Sequence, residues 1–389
     1  MTHPHPHIKG EGETIFMVRG CPPGMGYYGL IITGGKGMIF GKKKDVIGID
    51  IGSSSIKLVE LNKTKKGFKL EKLAIAPLPP EAIVDEALMD SVTIIAAIRD
   101  LIAMSKIKTK DVVISISGHS VIVKKITLPL MTEAELKESL QWEAERYIPF
   151  DIKDVYLDFK ITGGSQGNPA LMDVVLVAAK REVVDDCVSV MMESGLNPVV
   201  IDIDAFALEN MLAINYELEK GETVTIANVG ASVTNMNILA NNISEFTRDI
   251  FKGGNQFTEQ IQRELHVDHE EAEKIKMGHQ VDIPSSPLIE NILKTTSESL
   301  AIEIGNSLDF FKSTTTDGKI SKLYLSGGGS KIKGFDLILQ QHIGIPVEVV
   351  NPFKKIEYDE KKFDLEYLKE IGSIMAVGVG LASRRVGDR

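Results

Sequence analysis

Cysteine and tryptophan are nearly missing from this chain: two cysteines and one tryptophan occur in 389 residues. Cys21 and Cys187 are too few for a disulfide framework, which fits a reducing compartment. No stretch is apolar for long enough to span a bilayer. The N-terminus also lacks the basic-then-apolar order of a signal peptide, because residues 30–40 are short and interrupted by Gly34, Gly35 and Gly37. Excess positive charge is missing too. The net charge of −10 and pI of about 5.4 argue against wholesale nucleic-acid binding and leave room only for a local basic patch. His119, His266, His269, His279 and His342 have no paired spacing with Cys or Asp that suggests zinc. What remains is an ordinary globular composition, 43% hydrophobic and 25% charged, at a length that allows two or three domains. The expectation is a cytoplasmic protein that meets a membrane only peripherally or through a partner.

Residues 1–37 read differently from the rest. His3, His5 and His7 alternate with Pro4 and Pro6 ahead of a glycine-rich run, the composition of a disordered extension, and Met38 is an alternative start. From Asp45 onward strands and helices alternate, as in α/β proteins. Residues 46–51, 56–61 and 68–76 read as three sequential strands, 91–104 as a helix and 112–117 as a buried strand. A block of its own follows: strand 121–128, a helix from a Thr132/Glu135 capping box to about Tyr147, strands 155–161 and 174–179, and a helix over 182–194 closed by Gly195. Strand 199–203 resumes the first series. A second series has strands at 224–229, 235–239 and 323–325, amphipathic helices at 257–277 and 288–311, and a final small-residue helix at 367–384. A lone Trp142 followed by Tyr147 suggests core packing rather than an interface. His266 and His269 fall on a charged, solvated helix face, and Lys63, Lys65, Lys66, Lys69 and Lys72 surround an exposed hairpin turn.

The chemistry lies in three turns. Asp50, Gly52, Ser53, Ser54, Ser55 and Lys57 join the first two strands. Such small residues let backbone N–H groups converge on an anion, and Asp50 can hold a metal ion through its water shell. Asn228, Gly230, Ala231, Ser232 and Thr234 repeat the form at domain spacing. Gly327, Gly328, Gly329 and Ser330 offer backbone N–H groups and room for a ring or ribose, and Gly253 with Gly254 gives a fourth close approach. Two hairpins on one phosphate chain imply a cleft between two similar lobes.

These residues resemble the actin, heat-shock ATPase and sugar-kinase superfamily. Within it they resemble the PilM family of type IV pilus assembly proteins, relatives of the cell-division protein FtsA. The resemblance is carried by residues 48–57 (GIDIGSSSIK), 228–234 (NVGASVT), 251–258 (FKGGNQFT) and 325–330 (LSGGGS), with 201–208 and 376–381 fitting the two inter-lobe connections. It implies a two-lobed actin-like, ribonuclease-H-like α/β fold with an inserted α+β subdomain. Lobe 1, or subdomain 1A, is expected at 38–117 and 196–221, with the final helix 370–386 returning to it. The inserted subdomain 1C (of SHS2 type) falls at 118–195, and lobe 2, subdomains 2A and 2B, at 222–369. The resemblance also implies ATP and magnesium between the lobes, the N-terminal cytoplasmic peptide of the inner-membrane protein PilN as partner, and possible self-association. On it, Asp50 orients metal-bound water, residues 52–55 cradle phosphate, Lys57 adds charge unless it is a solvated neighbour, and residues 327–330 line an adenosine pocket.

One position departs from the superfamily. Many of its ATPases carry an acid where this chain has Asn228, and an amide cannot act as a general base. Asp202 and Asp204 are the replacement candidates. Asp204 is the closer to the water-orienting position, and it reads equally as the N-cap of a helix over 205–212. Firm nucleotide binding with slow hydrolysis at best is therefore expected. The alternatives are an FtsA-like filament scaffold and a small-molecule kinase. Against the first, the polar segment 383–389 is no amphipathic membrane helix; against the second, no acceptor-site motif is recognisable.

Overall fold

The computed structural model describes residues 45–84, 86–165, 168–279, 287–315 and 318–385, together with two short strands upstream. Those strands, β1 (Ile15–Met17) and β2 (Leu30–Ile32), pair antiparallel. Otherwise the expected disordered extension and the alternative start at Met38 lie outside the described residues.

The first lobe begins with an antiparallel meander, β3 (Ile47–Ile51), β4 (Ser55–Thr64) and β5 (Gly67–Pro77). A minimal hairpin, β6 (Ile83–Val84) and β7 (Ala87–Leu88), turns through Glu86 in the left-handed region (φ 67°). Helix α1 (Ser91–Ser105) starts where the Asp90 carboxylate accepts the Thr93 N–H (3.0 Å) and buries Ile94, Ile95, Ile98, Leu101 and Ile102, one face at helical spacing. β8 (Asp111–Ile116) follows.

Next come β9 (Val121–Pro129), α2 (Glu133–Ala144), β10 (Val155–Gly164) and β11 (Leu171–Lys180), an inserted unit, and then α3 (Arg181–Glu193), whose buried Val184, Cys187, Val190 and Met191 join the core of the first lobe. The expected capping box is present, with the Thr132 N–H donating to Glu135 Oε2 (2.7 Å) and the Glu135 N–H to Thr132 Oγ1 (3.3 Å). The three strands form their own sheet, ordered β10-β11-β9. Ile126, Leu136, Leu140, Val174 and Leu176 belong to a hydrophobic core separate from that of either lobe. Trp142 is not in it: the ring is 76% exposed, because its α2 position falls opposite the buried Leu136, Leu140 and Ala144.

β12 (Asn197–Ile203) returns parallel to β8 and leads into α4 (Asp204–Asn215). The first sheet is ordered β1-β2-β12-β8-β3-β4-β5. The second lobe carries β13 (Thr223–Val229), β14 (Thr234–Ala240) and β15 (Ile243–Ile250), then α5 (Gly254–Leu265), α6 (His269–Lys276) and α7 (Pro287–Thr314). β16 (Lys322–Ser326), α8 (Phe335–Ile343) and β17 (Val347–Val349) complete a five-stranded sheet ordered β15-β14-β13-β16-β17. α9 (Leu365–Ile371) and α10 (Ala376–Ala382) end the described chain.

The β6–β7 hairpin and β17 were not expected from the sequence, and three further elements differ from it. β15 was not expected; its hairpin turns through Asn241 and Asn242, both in the left-handed region (φ 53° and 63°), a conformation that asparagine tolerates. The helix expected over 257–277 is two helices, broken where His266 takes a left-handed φ of 55° and Asp268 caps the second. The final helix is likewise divided, by a 3₁₀ turn at Gly372–Met375. Its small residues do bring backbones together. A Cβ on Gly380 would overlap the Ala207 carbonyl of α4, and one on Gly48 of β3 would overlap Gly378 and Ala382 backbone atoms. Polar residues beyond it are buried: Arg384 Nη1 lies 3.8 Å from Asp202 Oδ2, both side chains fully buried, and Arg385 Nη2 donates to the Leu61 carbonyl (2.7 Å).

A cleft between two matched hairpin turns

The β3–β4 and β13–β14 hairpins close in the same way. The Gly52 N–H donates to the Ser55 carbonyl (3.1 Å), and the Gly230 N–H donates to the Val233 carbonyl (2.9 Å). Their registers match as well. Asp50 pairs across its ladder with Lys57, and Asn228 pairs with Asn235, each two residues before the turn glycine and five after it. The side chains at these matched positions meet: Asp50 Oδ2 lies 3.1 Å from Lys57 Nζ, and Asn228 Nδ2 donates to Asn235 Oδ1 (3.3 Å). Lys57 is thus part of the site and not a solvated neighbour.

Both turns open on one cleft of about 370 Å³ between the lobes. Of the residues expected from sequence, Asp50, Gly52, Ser53, Ser54, Ser55, Lys57, Asp204, Asn228, Gly230, Ala231, Gly254, Gly327, Gly328 and Gly329 line it. Four others stand behind that lining. Ser232 Oγ accepts from Asn255 Nδ2 (3.2 Å), Thr234 Oγ1 donates to the Lys252 carbonyl (2.8 Å), and Ser330 Oγ donates to the Gly327 carbonyl (2.7 Å). Gly253 packs so closely on the second turn that a Cβ there would collide with the Ala231 carbonyl. That turn hangs on the start of α5, where the Gly254 N–H donates to the Gly230 carbonyl (2.9 Å) and the Asn255 N–H to the Ala231 carbonyl (2.8 Å). Gly327 sits at φ 82° against the Val229 carbonyl, a place no larger residue fills without strain.

Sequence reasoning missed the groups that α6 brings in. Lys276 is buried and donates to Glu273 Oε1, to Thr258 Oγ1 (3.0 Å) and to the Gly254 carbonyl (3.4 Å), while Thr258 Oγ1 also donates to Glu273. Glu273, Lys276 and His269 all line the cleft, His269 from an exposed position that keeps its expected contact with solvent; the break at His266 is what aims this short helix inward. The i, i+3 spacing of Glu273 and Lys276 was visible, but it is indistinguishable in sequence from the surface ion pairs of any amphipathic helix.

The acids gather where the first lobe meets β15 of the second. Asp204 is the first residue of α4 and caps nothing; its Oδ1 accepts from Ser115 Oγ (2.5 Å). Burial, reinforced by the Asp50 charge, pushes its pKa up to about 7. Glu86 reaches about 8, chiefly through burial and then through Asp249 and Asp204. Burial also raises the pKa of Asp249, whose Oδ2 accepts the Gly118 N–H (2.6 Å) and whose Oδ1 accepts from Asn235 Nδ2 (2.9 Å). Toward the inserted unit the cleft turns apolar, lined by Leu78, Ile83, Leu88, Val183 and Cys187. Burial lifts the Cys187 thiol to about 12, which makes it a packing residue rather than a nucleophile. Among the described residues, no group of three or more His, Cys, Asp or Glu side chains is arranged to hold a metal ion. Nor is any described helix long and apolar enough to cross a membrane.

Two lobes, each with a hairpin turn aimed at a shared cleft, define an actin-like fold. Residues 48–386 match the family described as type IV pilus assembly protein PilM, and the chain belongs to that family. A solved PilM–PilN type IV pilus biogenesis complex is similar over 89% of this chain and 99% of that one, with 30% identity and a TM-score of 0.79. The ethanolamine utilization protein EutJ from Carboxydothermus hydrogenoformans shares the fold at 15% identity over 87% of this chain and 89% of its own, with a TM-score of 0.54.

Proposed function

We propose that this chain is an ATP-binding adaptor of the type IV pilus assembly machine, acting at the cytoplasmic face of the inner membrane, with PilN as its membrane-embedded partner. The observation that carries the nucleotide half is the matched pair of turns lining one cleft. The site fits magnesium-ATP in the chemistry of its donors. Residues 52–55 and 230–232 would supply backbone N–H groups and hydroxyls to phosphates, Lys57 a positive charge, and Asp50 one carboxylate for a magnesium ion that keeps most of its waters. The glycines at 327–329 leave room for the nucleoside, and Glu273 with Lys276 offers an acceptor and a donor to ribose hydroxyls.

Hydrolysis is expected to be slow. Asn228 cannot take a proton, which leaves Asp204, already engaged by Ser115, as the carboxylate with a pKa suited to general-base work. The adaptor half rests on the similarity to a solved PilM–PilN complex and on the apolar end of the cleft, where Leu78, Ile83 and Leu88 lie beside Val183 and Cys187 of α3 next to the inserted unit. We assign that end to the N-terminal cytoplasmic peptide of PilN, and the inserted unit to subdomain 1C. Titration of a synthetic PilN N-terminal peptide, with and without magnesium-ATP, tests the assignment. Saturable binding weakened at least about tenfold by Val183→Glu is expected. No binding in either condition would end the adaptor reading.

A further inference from the structure

A chain of hydrogen bonds runs from the floor of the cleft to the first residue leading into the inserted unit. Ser326 Oγ donates to Asn228 Oδ1 (3.1 Å), Asn228 Nδ2 to Asn235 Oδ1 (3.3 Å), and Asn235 Nδ2 to Asp249 Oδ1 (2.9 Å). The Gly118 N–H closes it on Asp249 Oδ2 (2.6 Å). Asn228 and Asn235 both line the cleft; Ser326 and Asp249 do not.

The sense of the chain is fixed from one end. A carboxylate only accepts, so Asn235 turns its NH₂ to Asp249 and its oxygen to Asn228, which must then turn its own NH₂ to Asn235 and its oxygen to the Ser326 hydroxyl. Each amide accepts once and donates once, and neither can reverse without setting two acceptors against each other. An acid at position 228 would have no N–H to offer Asn235. The amide that costs this chain a general base is the one residue type that carries the link.

The far end is the connection from the first lobe into the inserted unit. Gly118 sits at φ 83°, tucked against the Glu86 carboxylate, between β8 of the first lobe and β9 of the insertion. Besides the Gly118–Asp249 bond, the inserted side meets the second lobe through the His119–Phe251 ring stack and the Lys125–Glu245 ion pair (2.7 Å).

We propose that this four-link chain couples occupancy of the cleft to the pose of the inserted unit: an anionic ligand draws the Asn228 N–H toward itself, Asn235 follows, and the hold of Asp249 on Gly118 loosens. The proposal rests on the nucleotide reading above. A ligand can shift that pose only as far as it binds the two arrangements unequally, and the coupling must be reciprocal.

The test is hydrogen–deuterium exchange of the full chain with and without saturating magnesium-ATP, saturation being established by a separate titration. The expected result is at least about threefold faster exchange over residues 118–129 and 244–250 when ATP is bound. Asp249→Ala, a change outside the cleft lining, should bind ATP within about threefold of wild type. It leaves neither Gly118 nor Asn235 an acceptor, so the 118–129 segment should exchange fast in both conditions and lose its response. ATP binding that leaves wild-type exchange over 118–129 unchanged would overturn the coupling with no variant needed. A full ATP response in Asp249→Ala would overturn it too. Failure to bind ATP in the titration itself would overturn the nucleotide reading, and the coupling with it.

Discussion

The two hairpin turns are the same backbone device used for different chemistry. In the first lobe the matched ladder positions hold a carboxylate and an ammonium, Asp50 and Lys57, mostly buried and 3.1 Å apart. In the second lobe they hold two amides, Asn228 and Asn235, 3.3 Å apart. The charged pair is self-contained. Removing either partner strands a charge in a half-dry cleft, at a cost of several kcal/mol when no ligand compensates. The amide pair is open at both ends and passes its hydrogen bonds on to Ser326 and Asp249. Losing one amide costs about 1–3 kcal/mol of unsatisfied polar group. Symmetry of the fold therefore does not carry over to symmetry of chemistry: on the proposed function, the first turn would manage the charge of a ligand and the second would transmit its presence.

The sharpest way to break this comparison is one substitution made on both sides of the cleft. Gly327→Ala places a Cβ into the Val229 carbonyl at a positive φ, and should destabilise the fold by about 3 kcal/mol or more. Gly52→Ala meets only the movable tip of Lys57, 2.9 Å away, and should cost less than about 1 kcal/mol while displacing the ammonium. Urea titration of both variants measures the difference, and equal losses would contradict the geometry. Next in size is ligand affinity. Asp50→Ala should weaken magnesium-ATP binding about a hundredfold and Asn228→Ala about tenfold, since only the first removes a charge that faces the metal. A reversed order in a fluorescent-nucleotide titration would mean the roles are assigned to the wrong lobes.

The smallest effect is in pH dependence. Glu86 has its folded pKa raised to about 8, so between the ordinary carboxylate range and pH 8 the folded chain holds a proton that the unfolded chain has lost. Its stabilising share is complete at low pH and disappears as pH rises through about 8. Glu86→Gln should therefore flatten the fall of Tm between pH 5 and 8 relative to wild type, by a few degrees at most. An unchanged slope would remove Glu86 from the acid cluster beside Gly118.

The turns were legible in the sequence because period-2 alternation brackets them and glycine marks their centres; Asp50, Gly52, Asn228 and Gly327 all line the cleft. The α2 helix was legible through its Thr132/Glu135 cap, and β9, β10, β11 and α3 through their change of rhythm. What stayed hidden depends on tertiary approach. Lys276 and Glu273 look like any solvated i, i+3 pair until the left-handed His266 turns α6 into the cleft. Asp249 lies on β15, a strand announced only by the Asn241-Asn242 turn, and its meeting with Gly118 spans 131 residues of sequence. Trp142 misled because its residue type favours burial, whereas its helical phase, opposite Leu136 and Leu140, decides exposure. The buried Arg384 could not be read from a polar tail without its partner Asp202.

The central claim is that both turns hold one ligand. A crystal structure of the full chain with magnesium and a non-hydrolysable ATP analogue tests it most directly. The account predicts one nucleotide per chain, its phosphates about 3 Å from backbone N–H groups of both residues 52–55 and residues 230–232, with Asp50 facing the metal's waters. A nucleotide bound elsewhere, or touching one turn while the other stays more than about 5 Å away, would contradict it.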